Sequence, residues 1–243
     1  VDNTNKEFLD TLTNGFTLYK YNITQDQIDK LVLFNTLVME TNEHTNLTSI
    51  KDGAESAKKH FLDSLNPPAM ELVKKAKSVI DVGSGAGFPG IPLAIVNSNV
   101  KFTLIDTRKK RCEFMEHAKD QLKLYNVSVI WKRAEELGRD ESYRDRFDIA
   151  CARALAATPT LLEYLVPFVK VGGYTMLYKG KSLTDELNQA KNAINILGVD
   201  DFKISPYTIF DESSQFNMVY AEKIRPTPTK FPRKVGMPTK RPL

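Results

Sequence analysis

The 243-residue chain is poor in cysteine, in long apolar runs and, over one stretch, in acidic residues. Its two cysteines, Cys112 and Cys151, match no metal-ligand spacing and give no disulfide framework, so no metal site is expected. No apolar run approaches the roughly 20 residues that a membrane helix needs, so no membrane partner is expected. The opening Val1-Asp2-Asn3-Thr4-Asn5 is polar and lacks the pattern of a secretory leader, which points to a cytoplasmic protein. No internal repeat is visible, and the length suits one domain with a small appendage, expected as a monomer. From Lys223 onward there are seven Lys and Arg residues and no Asp or Glu. Because the whole chain carries +4, the first 222 residues carry −3. Five of the 12 prolines also fall in that last stretch. Proline there predicts an extended, helix-free arm, and its cations suit a polyphosphate surface. The candidate RNA-binding residues are Arg225, Lys230, Arg233, Lys234, Lys240 and Arg241. Phe231, Val235 and Leu243 would equally let the arm fold back on the body.

Against that background one stretch stands out, Ser78-Val-Ile-Asp81-Val-Gly83-Ser-Gly85-Ala-Gly87-Phe88-Pro-Gly90. It reads as strand, tight loop and helix, the first βα unit of a Rossmann-like sheet. Two glycine registers overlap. Gly85-x-Gly87-x-x-Gly90 fits a dinucleotide fingerprint, whereas Asp81-x-Gly83-x-Gly85-x-Gly87 fits the acid-and-glycine loop of S-adenosylmethionine (AdoMet) methyltransferases. The dinucleotide pattern needs its first glycine directly after the strand, a place held by Gly83, which would put its third on Phe88. Pro89 and Pro92 also thin out the N–H groups a pyrophosphate would need. Asp81 would repel a pyrophosphate but suits a ligand bearing an ammonium and a sulfonium. The loop therefore favours AdoMet over NAD.

Ahead of this loop the chain predicts helices over 6–20, from a Thr24–Gln27 capping box onward, and over 54–65, forming a cap in front of the sheet. A loop is expected from Asn42 to Ile50. His60, Asp63 and Ser64 share one helix face, which suits either a polar packing cluster or catalysis. Beyond the loop, strands are expected at 100–105, 127–131, 147–151, 174–178, 202–209 and 216–224, the last two as an antiparallel edge pair. Helices are expected over 108–125 and 183–197. Asp106 ends the second strand, where this fold presents a carboxylate to a ribose diol. Ala134-Glu135 follow the third strand, where an acid can accept from an adenine amine. The fourth strand ends at Arg153, near the place where a methyl acceptor enters. No Asn-Pro-Pro-aromatic follows that strand; Asn66-Pro-Pro-Ala69 lacks the aromatic and precedes the glycine loop. Neither cysteine follows a proline, so a cytosine-C5 nucleophile is missing. A planar cation at this point instead suits a nucleophile without a proton, such as guanine N7.

Taken together, these residues resemble the RsmG (GidB) family of bacterial 16S rRNA guanine-N7 methyltransferases. The likeness runs through Asn46-Leu-Thr-Ser-Ile50, His60-Phe-Leu-Asp63-Ser-Leu65, the Asp81–Leu93 loop, Asp106-Thr-Arg-Lys-Lys-Arg111, Arg133-Ala-Glu135, Arg153-Ala, Lys179-Gly180 and the Phe231–Leu243 tail. It implies an α/β, Rossmann-like class I AdoMet-dependent methyltransferase. Its mostly parallel seven-stranded sheet would have an antiparallel edge hairpin and an N-terminal helical cap, divided as 1–76, 77–224 and 225–243. It implies methylation of guanine 527 at N7, with 16S rRNA, the 30S subunit or its precursor as partner. The AdoMet contacts it implies are Gly83, Phe88, Ala134, Glu135 and Arg153; Asp81, Gly85, Gly87 and Asp106 join them from the logic of the fold. Arg153 and Lys179 are the candidates for positioning the guanine, with His60 and the tail arginines behind them. Two alternatives stand beside it, an NAD-dependent oxidoreductase and a non-catalytic RNA-binding assembly factor. On this reading, deleting the chain after Ile224 flattens the salt dependence of RNA binding and leaves AdoMet affinity nearly unchanged.

Overall fold

The computed structural model describes residues 3–180 and 183–243, with backbone alone at residue 3 and residues 211–214. Lys181, which follows the predicted fifth strand, lies outside them. Five parallel strands, β1 (Ser78–Val82), β2 (Lys101–Asp106), β3 (Val127–Trp131), β4 (Phe147–Arg153) and β5 (Val169–Lys179), make up most of a seven-stranded sheet. β6 (Lys203–Ile209) and β7 (Asp211–Glu222) complete it in the order β3-β2-β1-β4-β5-β7-β6. β7 runs antiparallel to both of its neighbours. Val79 to Val82 are all buried, as a central strand covered on both faces requires. The strand order reverses between β1 and β4, which opens a crevice at their carboxyl ends.

The amino-terminal helices are α1 (Asn3–Leu18), α2 (Gln25–Thr45), α3 (Gly53–Ser56) and α4 (Pro67–Val73). Both hydrogen bonds of the Thr24–Gln27 capping box are formed. Phe8, Phe34 and Phe61 are fully buried. Phe61 meets Phe8 edge-on at 4.7 Å and Phe88 of the glycine loop at 5.2 Å. Burying a phenylalanine this way contributes about 2–3 kcal/mol, so the aromatic run fastens the helices to the loop. Gly53 sits where a Cβ would lie 2.1 Å from the Thr4 carbonyl oxygen. Backbone cannot yield as a side chain can, so Gly53→Ala should cost about 2 kcal/mol in urea unfolding. Gly180→Ala, where an added Cβ would meet nothing within 4 Å beyond its chain neighbours, should cost almost nothing.

Several boundaries differ from the sequence reading. α2 runs to Thr45, so the loop expected from Asn42 begins at Asn46, a left-handed cap. The helix expected over 54–65 is interrupted, because α3 passes into a π-helical turn over Ala57–Leu62. The helix expected over 108–125 is α6 (Lys109–Gln121), preceded by α5 (Gly90–Val96) and followed by α7 (Ala134–Leu137) and α8 (Thr158–Leu165). The single helix expected over 183–197 is two, α9 (Thr184–Gln189) and α10 (Lys191–Leu197), the latter ended by Gly198 at φ +86°. β7 starts at Asp211 rather than Phe216.

The largest departure is the tail, which is neither extended nor free of helix. Phe231 and Pro232 are buried and Leu243 packs against the same core. Arg144 donates to the carbonyls of Thr227 (2.8 Å) and Phe231 (2.7 Å), and Arg139 Nε to that of Pro232 (2.9 Å). Met237–Lys240 form one helical turn, α11. Proline prevents a long helix, which leaves carbonyls along the tail without helical partners, and the body arginines hold several of them. Arg233 is drawn inward to Glu163, and the Arg225 guanidinium donates to the Asn195 carbonyl. Lys223 is fully buried on Asp145 and the Val166 carbonyl. Of the cations proposed to meet RNA, Lys230, Lys234, Lys240 and Arg241 remain exposed without such a role, so the salt slope expected to be lost on deleting the tail is about 3.

Candidate active site: two cavities at the strand ends

A cavity of about 540 Å³ lies across the carboxyl ends of β1, β2 and β3. Gly83, Asp106, Ala134 and Glu135 line it, as do Tyr164 of α8 and Thr239 and Pro242 of the tail. The Asp106 carboxylate accepts from the N–H groups of Gly85 (3.0 Å) and Arg108 (2.8 Å). Glu135, almost fully buried, accepts from the Gly236 N–H at 3.0 Å. Asp81 lies behind this wall, fully buried. One of its oxygens accepts from the Gly90 N–H at 3.0 Å, and the other has no partner among the described residues. Burial therefore pushes the Asp81 carboxyl up to about 7.

The glycine loop commits most of its N–H groups within the protein. Gly83 and Ser84 donate to the Ile105 carbonyl, Gly87 and Phe88 to that of Ser84, and Gly85 and Gly90 to carboxylates. Gly83, Gly85 and Gly87 all have positive φ, which lets the chain close in this way. A pyrophosphate would find these donors already committed. This weighs against the NAD alternative.

A second cavity, of about 510 Å³, opens on the other side of the β4 tip and shares Ala156 with the first. Arg153, Lys179, His60, Asp63 and Tyr207 line it. Arg153 donates to Asp63 (2.9 Å), to the Lys59 carbonyl (2.8 Å) and to His60 Nδ1 (3.3 Å), and its guanidinium lies 5.3 Å over the Phe88 ring. Asp63 also accepts from the Tyr207 hydroxyl at 2.6 Å. The π-helical turn explains the free carbonyl. The Asp63 N–H bonds back to His60 and Lys58 and passes over Lys59, whose oxygen is left for Arg153. Because Arg153 can only donate, His60 Nδ1 accepts, and Nε2 carries the hydrogen that faces Thr48 Oγ1 at 2.8 Å. Lys179 is paired with Glu186 at 2.7 Å.

The predicted residues thus divide. Gly83, Asp106, Ala134 and Glu135 meet at the first cavity, whereas Gly85, Gly87 and Asp81 do not line it. Phe88 and Arg153, implied as cofactor contacts, sit elsewhere: Phe88 is buried beneath Arg153, and Arg153 faces the second cavity. The cause is Asp63, ninety positions away, which turns the guanidinium aside. His60 and Asp63 meet through Arg153, whereas the Ser64 hydroxyl donates back to the His60 carbonyl, and Asn66 of the Asn-Pro-Pro-Ala run is the buried cap of α4. Tyr207, Tyr164, Thr239 and Pro242 were not legible as site residues; only the tail's apolar positions hinted at its return.

Two groups here titrate in opposite senses. Burial and the neighbouring Arg153 bring His60 down to about 3. Between that value and its unfolded 6.5, the unfolded chain binds the extra proton, so His60 makes stability rise with pH. Asp81, raised from 3.8 to about 7, makes stability fall with pH over its window. From pH 4.5 to 6 these contributions oppose. His60→Gln should therefore tilt the pH–stability profile downward by about 1.4 kcal/mol per pH unit relative to wild type, and Asp81→Asn upward by a similar amount. Urea unfolding across that range checks both signs.

The sequence model of the GidB family, described as rRNA small subunit methyltransferase G, matches residues 27–210. Among curated relatives, the "Ribosomal RNA small subunit methyltransferase G" of Alkaliphilus metalliredigens is 40% identical over 96% of this chain and 97% of its own length. Its namesake in Acetivibrio thermocellus is 42% identical over 96% and 95%. Solved structures share the fold at low identity. A SAM-dependent methyltransferase from Aquifex aeolicus is 18% identical, with a TM-score of 0.51 over 70% of this chain and 93% of that one. A SAM-dependent O-methyltransferase from Thermotoga maritima is 16% identical, with a TM-score of 0.50 over 79% and 72%. The β3-β2-β1-β4-β5-β7-β6 sheet, the cavity at its strand ends and relatives at about 40% identity over nearly the whole length agree, and the chain belongs to the GidB family of rRNA small subunit methyltransferase G proteins.

Proposed function

We propose that this protein transfers a methyl group from AdoMet to N7 of a guanine in 16S rRNA near the decoding site, acting as a cytoplasmic monomer on the 30S subunit or its precursor. The observation that carries this reading is the meeting of two cavities at the β4 tip, one lined by Asp106 and Glu135, the other by Arg153. The first fits AdoMet. Asp106 suits a ribose diol and Glu135 an adenine amine. When bound, AdoMet supplies an electrophilic methyl on a sulfonium. Guanine N7 has a free lone pair, so the protein need not remove a proton; it has to orient the base and keep water out. His60, neutral across the physiological range, is no proton donor there. A donor placed on N7 would tie up the reacting lone pair, so the role of Arg153 and Lys179 is to address O6 or a phosphate. The N-terminal helices (1–76) carry one wall of this guanine site and 77–224 the rest.

Incubating the protein with labelled AdoMet and either 30S subunits or free 16S rRNA, then mapping the modified base, tests the reading. Label on a guanine N7 is the expected result. AdoMet binding with no label on either RNA would overturn the assignment of substrate.

A further inference from the structure

The sequence left the carboxyl-terminal segment between an RNA-binding arm and a segment folded back on the body, and its placement gives it a further task. We infer that residues 236–242 are a component of the cofactor site and wall its adenosine side. This inference rests on the AdoMet reading above and goes beyond it by assigning binding residues outside the sheet.

Three contacts carry it. The Gly236 N–H donates to Glu135 Oε1 at 3.0 Å, and no described residue donates to Oε2. Gly236, whose N–H is bonded to Glu135, has φ +77°, a conformation that other residues rarely adopt. The Thr239 hydroxyl pairs with the Tyr164 hydroxyl at 2.9 Å, and both residues line the cavity. Thr160 Oγ1 donates to the Pro238 carbonyl at 3.0 Å, which seats α11 on α8 and brings Pro242 to the cavity edge. Glu135 is thereby held in one orientation with its second oxygen left for an amine, while Pro242 and Thr239 supply surface that the strand ends do not. A carboxylate fixed by a backbone donor has less orientational freedom to lose when a ligand binds, which improves affinity. Gly236 is thus a positioning residue for Glu135, and Thr239 and Pro242 are contact residues for a nucleoside.

The segment can be removed with most of its anchor left in place. Phe231 and the Arg233–Glu163 pair lie ahead of it, so a chain ending at Val235 keeps both and loses the Leu243 packing and the Arg241 carbonyl that accepts from Arg233. Titration calorimetry with S-adenosylhomocysteine, without RNA, compares that chain with the full one. The expected result is affinity at least tenfold weaker in the shortened chain, with an unfolding midpoint close to that of the full chain. In the full chain, S-adenosylhomocysteine should also slow tryptic cleavage after Lys234 severalfold; this readout does not depend on how the shortened chain folds. Equal affinity in the two chains, or cleavage unaffected by bound ligand, would overturn the inference while leaving the cofactor reading intact. A full chain that binds no S-adenosylhomocysteine would overturn both.

Discussion

Arg153→Ala should slow methyl transfer to 30S subunits by about 100-fold while leaving S-adenosylhomocysteine affinity within about twofold. The guanidinium is fixed by Asp63, the Lys59 carbonyl and His60 Nδ1, so it presents a rigid, planar donor set to the second cavity. Misplacing a reacting base by about 1 Å can cost two orders of magnitude, and this clamp is what limits such error. Arg153→Lys should rescue little, because an ammonium cannot span the same three acceptors or lie flat over Phe88. The paired measurement is decisive. A loss of cofactor affinity matching the loss of rate would return Arg153 to the first cavity, where the family resemblance implied it.

Arg233→Ala should destabilise the fold by about 3 kcal/mol or more in urea unfolding. Glu163 is fully buried on α8 and receives four hydrogen bonds from Arg233, one from the backbone and three from the guanidinium. Removing the cation strands a carboxylate in a nonpolar setting, the costly half of breaking a buried pair. The double variant Glu163→Met with Arg233→Leu should recover most of that loss, since a well-packed apolar pair can replace a buried ionic one at little cost. A single-variant effect below about 1 kcal/mol would mean that the tail is anchored by Phe231 and the body arginines alone.

The parts legible in the sequence are those whose cause is local. The Asp81–Gly90 loop announces itself because a tight turn needs glycines and a strand end needs apolar neighbours, all within a dozen positions. The Thr24 capping box and the Gly198 helix stop are likewise settled by residues at most a few positions apart. Asp106 and Glu135 were found because a parallel sheet presents its strand ends in a fixed place. What escaped depends on residues far apart in the chain. The direction of Arg153 is set by Asp63, and the course of the tail by Arg139, Arg144 and Glu163. A count of tail charges could not distinguish a cation facing solvent from one drawn onto an unseen carboxylate. The break between α9 and α10 at Ala190 carries no glycine or proline to signal it.

The π-helical turn at Ala57–Leu62 also sets an angle. Each residue of an α-helix advances about 100° around its axis, so a turn holding one residue too many offsets the faces on either side of it by that amount. The residues before it are referenced to α1, where Gly53 touches the Thr4 backbone; those after it are referenced to the sheet, where Asp63 meets Arg153 and the Ser64 carbonyl accepts from Tyr178. The turn is thus a phase adjuster between two fixed surfaces. Deleting Lys58, an exposed residue whose replacement by alanine would change little, would swing one set of contacts out of reach of the other. Along this segment the spacing of side chains matters more than the identity of any one of them.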